Sequence, residues 1–545
     1  MKVYEVIARA LKDAMDDVGI EHLFGLIGDA NLYMVDSYVR ACGGAYIRAA
    51  HEAGATAMGV GYAQVRNTVG VVTVTQGPGL TNALTALLEG VKSSTPMVLL
   101  AGDTAEEDHS HIQFINQREL VMSAGIGFEP LRAPHTITQD LNRAFRRAWI
   151  ERRPIVFNMP YNFQWLEAEY QRQTLRLPGI TLAPTLGDDM DHAVGMIAFA
   201  RQPVVLAGRA AADEDTKRAI QRFAERIGAP VSTTVRAKDL FTDDAFNLGI
   251  CGTLSNEIAS DVLMNSDCII AFGAGLNKYT GGLGSFFDGK KRIIHVSPHA
   301  RDIGRYTPVE AGLVGDLGRI ADEMVRLLDE AEIPPAANRS DELAERIRNY
   351  RQKPRLSDQN APGTVDILEL FHTLNTQFPQ DRIYLTDGGR YEYIAWVDVK
   401  VQTPRDFVHT ICYGAIGLGL STAIGASVAG AGKPTLLVVG DGGLELGGMT
   451  ELMTAQRENL NLAVIVCNDG SYGAEYEQFV AKGMEPDLTM LGSPDFAPIA
   501  QAMGIASMTV RNSEDLARAM RFINERDGRS PCLIDVKLDP RHMNL

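Results

Sequence analysis

Asp441 and Asn468 are the residues of this chain whose types and spacing most directly suggest chemistry. Asp441 stands in Gly440-Asp441-Gly442-Gly443, straight after the apolar run Thr435–Val439. Asn468 opens Asn468-Asp469-Gly470, straight after a second apolar run, Leu462–Cys467. A helix-patterned segment lies between the two, so the stretch reads as one βαβ unit. Both residues then fall at the carboxyl ends of neighbouring parallel strands, the edge where open α/β sheets bind ligands. The glycines let backbone amides approach a phosphate closely, and the helix N-terminus behind them favours an anion. A carboxylate, an amide oxygen and a free backbone carbonyl at Gly470 are hard oxygen ligands. With two diphosphate oxygens and a water they would complete an octahedron around Mg²⁺.

Other residues stand out against their surroundings. Glu52 lies in AAHEAGATAMGVGYAQ, where a carboxylate among small apolar residues is expensive without a partner. Asp29 lies in GLIGDANL, a turn-forming context. His109 and His111, in EEDHSHIQF, follow the strand pattern Met97–Ala101 by one loop. Neutral histidines there suit proton transfer near neutral pH.

The elements that must position these groups repeat. A strand, a Gly-rich turn and a helix occur as GVVTVT-QGPG-LTNALTALLEG over Gly70–Gly90 and again in the Gly440 unit. Two polar, proline-bearing stretches, 166–188 and 333–363, read as connectors; the second holds a short helix-like piece. They divide the chain into three blocks, each alternating β-rich apolar runs with helical patterns, the mark of parallel α/β sheets. The length of 545 residues fits about three domains, and 45% hydrophobic residues allow each a core.

A formal net charge of −16 with no basic stripe argues against nucleic acid or an anionic membrane as partner. The amphipathic, charged N-terminus reads as a domain helix, with neither a signal peptide nor a long uncharged span. The six cysteines are scattered without CxxC or a Cys/His cluster, which reads as buried reduced thiols, a cytoplasmic protein and no zinc site.

The order strand–GDG–helix–strand–Asn resembles the diphosphate–metal motif of thiamine diphosphate (ThDP) enzymes of the acetolactate synthase, pyruvate decarboxylase and benzoylformate decarboxylase group. The resemblance extends over nearly the whole chain. It implies an α/β fold of three doubly wound parallel-sheet domains: a pyrimidine-binding domain at 1–170, a central Rossmann-like domain at 188–333 and a diphosphate-binding domain at 362–545. Asp441, Asn468 and Gly470 would hold Mg²⁺, with Gly440, Gly442, Gly443 and Tyr472 beside the cofactor. Gly389 and Arg390, in TDGGRY, match the first diphosphate-contacting loop, and Gly414 and Ile416, in CYGAIGLG, match the family's Gly-x-hydrophobe-Gly, in which a bulky apolar side chain props the cofactor into its V shape. Glu52 matches the glutamate that hydrogen-bonds N1′ of the aminopyrimidine.

Around the reacting carbon the resemblance offers Asp29, the His109/His111 pair, Gln113 as the acetolactate synthase-like alternative, and Glu475. The family's aspartate loop has proline where this chain has Ile27; its histidine pair is adjacent, and its decarboxylase glutamate falls on Ala474 here. The implied activity is cleavage of a carbon–carbon bond next to a carbonyl, as a 2-oxo acid decarboxylase or 2-hydroxyketone lyase releasing an aldehyde. The alternative is an acetolactate synthase-like carboligase, a transferase. A third reading is an FAD-dependent redox relative; the strand-then-Gly turns at Pro203–Ala211 and Cys268–Asn277 are Rossmann-like, but the second continues NKYTGG, and the central domain is read as structural and without FAD. The implied partners are a small carbonyl substrate and further copies of the chain, a homodimer or homotetramer with active sites between subunits.

Overall fold

The computed structural model describes residues 1–105, 107–179, 187–287, 289–350 and 361–541. It contains three six-stranded parallel sheets. The first is built from β1 (His22–Gly25), β2 (Ala45–Arg48), β3 (Gly70–Val74), β4 (Met97–Asp103), β5 (Gly127–Pro130) and β6 (Pro154–Pro160), in the order β2-β1-β3-β4-β6-β5. Helices α1 (Glu52–Arg66) and α2 (Pro78–Lys92) follow β2 and β3. The second sheet holds β7 (Pro203–Ala207), β8 (Val231–Thr233), β9 (Asn247–Ile250), β10 (Cys268–Phe272), β11 (Arg292–Ser297) and β12 (Ala311–Val314), with α3 (Glu214–Ile227) after β7. Its order, β12-β11-β10-β7-β8-β9, is the dinucleotide-fold order with the reversal between β7 and β10.

The third sheet holds β13 (Ile383–Thr386), β14 (Phe407–His409), β15 (Thr435–Gly440), β16 (Leu462–Asn468), β17 (Ala506–Val510) and β18 (Cys532–Lys537). Its order, β14-β13-β15-β16-β18-β17, repeats that of the first sheet strand for strand. Helix α4 (Gly419–Ala429) follows β14, α5 (Asp441–Gly447) and α6 (Glu451–Arg457) follow β15, and α7 (Gly473–Ala481) follows β16. Central strands such as β3, β15 and β16 are buried almost throughout, which is why their sequences are continuous apolar runs rather than alternations.

The first and third sheets belong to one compact unit and the second to another. Within the first unit α1 crosses α4 at backbone contact. A Cβ on Gly61 would collide with the Thr422 carbonyl, and one on Gly425 with the Met58 carbonyl. The small-residue composition of both helices exists to permit that approach.

The stretch 166–178, expected as a connector, is strapped to the first sheet's domain. Ala168 N–H donates to the Met1 carbonyl, Leu175 is buried, and Thr138 and Asn142 donate to the carbonyls of Gln171 and Gln173. Polar side chains satisfy its backbone, which composition alone does not disclose. In the second connector a helix runs Asp341–Asn349 with Ser340 as its cap. Parts of both connectors, 180–186 and 351–360, lie outside the described residues.

Candidate active site

In the third sheet the strand order reverses between β13 and β15, and the loops leaving these strands carry Asp387–Glu392 and Gly440–Gly443. Such a reversal opens the crevice in which doubly wound sheets hold ligands. Strand β16 lies beside β15 in parallel, with Cys467 opposite Gly440, so Asp441 and Asn468 emerge together.

Asp441 is 2% exposed and accepts the Ser493 hydroxyl at 2.8 Å. Burial, with the neighbouring Asp469 carboxylate adding, pushes its carboxyl up to about 7; the N–H groups of Gly442 and Gly470 act in the opposite direction. Asn468 donates both amide hydrogens, to the Pro494 carbonyl at 3.1 Å and to Asp535 at 3.0 Å, which orients its amide oxygen as an acceptor. The Gly470 carbonyl is not free, as its sequence suggested: it accepts the Leu491 N–H at 2.8 Å, leaving one lone pair for a cation. A carboxylate disfavoured by burial and by a second carboxylate, beside an oriented amide oxygen and a glycine carbonyl, is the donor set a hard divalent cation relieves. The residues present therefore fit Mg²⁺.

Arg390, expected against the diphosphate, is committed elsewhere. Its guanidinium forks onto Asp469 at 3.0 and 2.7 Å and lies 5.3 Å over the Tyr476 ring, and only a glycine at 473 leaves room for it. It braces the Asn468–Gly470 turn against the Gly389 loop. The Tyr472 ring lies against Gly442, where a Cβ would stand 2.8 Å from it. Glu475, on the first turn of α7, is exposed.

A residue not singled out from sequence organises the neighbouring loop. Asp387 is fully buried and accepts the Gly388 N–H at 2.8 Å, the Thr410 hydroxyl at 2.9 Å and the Gly417 N–H at 2.8 Å. Burial raises its carboxyl, against the pull of these donors. It thereby ties the Gly414–Gly417 turn to the end of β13. Gly414 adopts φ +83°, and Ile416 is half-buried where a Cβ on Gly388 would touch it at 3.1 Å. The only signal for Asp387 in the sequence was its place ahead of Gly389 and Arg390 in TDGGRY.

Glu52 is the first residue of α1. The His51 imidazole caps that helix by accepting the Ala53 N–H at 3.1 Å, and Asn67 in the left-handed conformation ends it. The Glu52 carboxylate is half-buried and accepts Asn82 Nδ2 at 3.1 Å.

At the corresponding reversal of the first sheet, between β1 and β3, Asn31 holds the turn: it accepts the Gly28 N–H at 2.7 Å and donates to the Leu26 carbonyl and Thr73. Asp29 in that turn is exposed and makes no hydrogen bond or ion pair among the described residues, so it is Asn31 that ties the turn together. The loop after β4 brings Gln113 to the Gly77 turn, where its Oε1 accepts Gln76 Nε2 at 2.8 Å. His111 accepts the Gln113 N–H through Nδ1, and His109 is exposed, edge-on to Phe114 at 5.1 Å. Of the loop's three candidates, Gln113 is thus the one joined to the Gly-rich turn.

In the second sheet, Gly208 after β7 packs on the Gly273 carbonyl after β10, across the strand reversal. Arg209 is half-buried and donates to the Pro404 and Phe407 carbonyls. Helix α3, where a Rossmann fold presents N–H groups to a pyrophosphate, begins at Asp213-Glu214-Asp215, and Asp213 caps it. Three carboxylates at that helix start repel a pyrophosphate rather than cradle it.

Three family models match in chain order: the N-terminal TPP binding domain of thiamine pyrophosphate enzymes over residues 1–120, their central domain over 190–324 and their C-terminal TPP binding domain over 387–536. The acetolactate synthase large subunit of Corynebacterium glutamicum is 26% identical over 97% of this chain and 86% of its own length. The sulfoacetaldehyde acetyltransferase of Castellaniella defragrans is 26% identical over 94% and 90%, and a probable acetolactate synthase large subunit of Methanococcus aeolicus is 26% identical over 98% and 92%. With these matches in the order of its three sheets, the chain belongs to the thiamine pyrophosphate enzymes.

Proposed function

We propose that this protein is a ThDP- and Mg²⁺-dependent carboligase: it takes an acyl unit from a 2-oxo acid or related carbonyl donor and joins it to a second carbonyl acceptor. The observation that carries this reading is the set of whole-length relatives, named as synthases and acetyltransferases. It favours the transferase alternative over the lyase. Bound ThDP supplies a carbon nucleophile that adds to a carbonyl and accepts the bonding electrons when the adjacent carbon–carbon bond breaks.

In this reading Asp441, Asn468 and the Gly470 carbonyl hold Mg²⁺, and the N–H groups of Gly442 and Gly443 face the diphosphate. Glu52 would hold a proton at N1′ of the aminopyrimidine, Gly414 would accept from its exocyclic nitrogen, and Ile416 would pack against the cofactor. Gln113, fixed by Gln76, faces the acceptor. FAD has no role: the acidic start of α3 supports a structural central domain.

The working assembly is a homodimer or a dimer of dimers. Large apolar side chains near the candidate site support this: Ile112 is 98% exposed, Leu446 65% and Met453 55%, and a second copy would cover them.

A panel of pyruvate, other 2-oxo acids and sulfoacetaldehyde, with and without ThDP and Mg²⁺ and read by NMR, tests the function. Cofactor-dependent acetolactate from pyruvate, or another new carbon–carbon bond between two members of the panel, is expected. Acetaldehyde as sole product would restore the lyase reading. No turnover of any member would overturn both.

A further inference from the structure

Two buried carboxylates outside the set above hold the loops of the first unit crosswise. Glu89, on α2, is 1% exposed, and its two oxygens accept the N–H groups of Cys412 at 3.2 Å and Tyr413 at 2.7 Å, directly ahead of Gly414. Glu451, opening α6, is 2% exposed. One of its oxygens accepts the N–H groups of Ala50 at 3.0 Å and His51 at 3.2 Å, directly ahead of Glu52, and the other accepts the Thr454 hydroxyl at 2.7 Å. The arrangement is reciprocal. Each of two domains with the same strand order lends one carboxylate to the segment that enters the other's crossing helix, α4 or α1. A Cβ on Gly54 would collide with the Glu451 carboxylate, so this approach depends on a glycine. A buried carboxylate is costly unless its hydrogen bonds are strong and fixed, and bonds from N–H groups to an ionised oxygen are of that kind.

We propose that Glu89 and Glu451 are a reciprocal pair of positioning residues: Glu89 sets the Gly414 turn and Glu451 sets the entry of α1, and with it the aim of the Glu52 carboxylate. The proposal rests on the reading of Glu52 and Gly414 as cofactor contacts. The pair makes a chemical distinction between the two sites. A glutamine at 451 keeps one oxygen for both N–H groups and turns its amide towards the Thr454 hydroxyl. A glutamine at 89, seated as Glu89 is with one oxygen on each N–H group, sets its amide nitrogen against one of them.

The test uses the full chain reconstituted with ThDP and Mg²⁺. ThDP affinity is measured by titration, and exchange of the cofactor's C2 hydrogen with deuterium by NMR without substrate. Glu451→Gln should exchange within about twofold of the parent, whereas Glu451→Ala and Glu89→Gln should exchange roughly tenfold or more slower, with ThDP affinity held within about threefold by the distant diphosphate contacts. Parent-like exchange in Glu89→Gln, or equal loss in Glu451→Gln and Glu451→Ala, would overturn the positioning roles. Glu52→Gln is the reference: if it too exchanges at the parent rate, the reading of Glu52 itself fails.

Discussion

The residues of the candidate site divide into those that face a ligand and those that hold them. Arg390 belongs to the second kind, since its fork on Asp469 fixes the turn that presents Asn468 and Gly470. Lysine at this position keeps a charge but cannot bring two N–H groups from one plane onto the Asp469 carboxylate. Arg390→Lys should therefore weaken ThDP binding about tenfold at saturating Mg²⁺, as loss of a group that orients metal ligands does, and calorimetric titration would measure it. Unchanged affinity would mean that the turn holds itself. Glu392, which opens the helix after this loop, gives a pH-dependent prediction. Burial pushes its carboxyl from 4.5 up to about 8, with Asp387 adding and the Gly389 N–H pulling back. Between those values the unfolded chain has released the proton and the folded one retains it, so this group's contribution to stability falls as pH rises through that window. Glu392→Gln copies the protonated form. It should match the parent near pH 5 and exceed it by roughly 1–3 kcal/mol near pH 8 in chemical unfolding.

At the scale of elements, the crossing of α1 on α4 joins the two similar domains. Gly425→Ala places a methyl against the Met58 carbonyl and should cost about 2–3 kcal/mol, because backbone yields less readily than a side-chain tip. Gly195 is the control: it lies in the helix Asp188–Ala198, and among the described residues no atom comes within 4 Å of an added Cβ. Gly195→Ala should be neutral or stabilise by up to about 1 kcal/mol through helix propensity. Equal melting temperatures for the two variants would refute the close crossing. The strand and turn pattern around Gly440 and Asn468 was readable from apolar runs and glycines, because parallel strands buried on both faces have little other composition available. Asp387, Glu89 and Glu451 were not readable in this way. Their partners are backbone N–H groups 30, 324 and 401 residues away at the farthest, and no local pattern records such pairings.

For the whole molecule, the reading of one chain as half of a working site predicts complementation. Glu52→Gln and Asp441→Ala proteins, each inactive, should regain part of the parent activity when their subunits are exchanged, since one mixed site would carry both native residues. Gel filtration should give at least twice the chain mass. Absence of recovery despite proven exchange would place Glu52 and Asp441 in one chain's site. The acidic start of α3 predicts that the purified protein lacks a flavin band near about 450 nm; its presence would return the central sheet to a redox role.

By itself the sequence determined the three parallel α/β sheets and the juxtaposition of Asp441 with Asn468, since strand ends, glycine turns and helix periodicity are local properties of the chain. It also isolated Glu52, a carboxylate whose apolar company is visible in its neighbours. Tertiary structure alone decided which partner each polar side chain takes: Arg390 on Asp469, Asn31 on the Gly28 turn, Gln113 on the Gly77 loop, and the crossed carboxylates Glu89 and Glu451 on backbone N–H groups. The physical reason is that a buried polar group's role is set by the partner that satisfies it, and these partners meet only when distant segments pack.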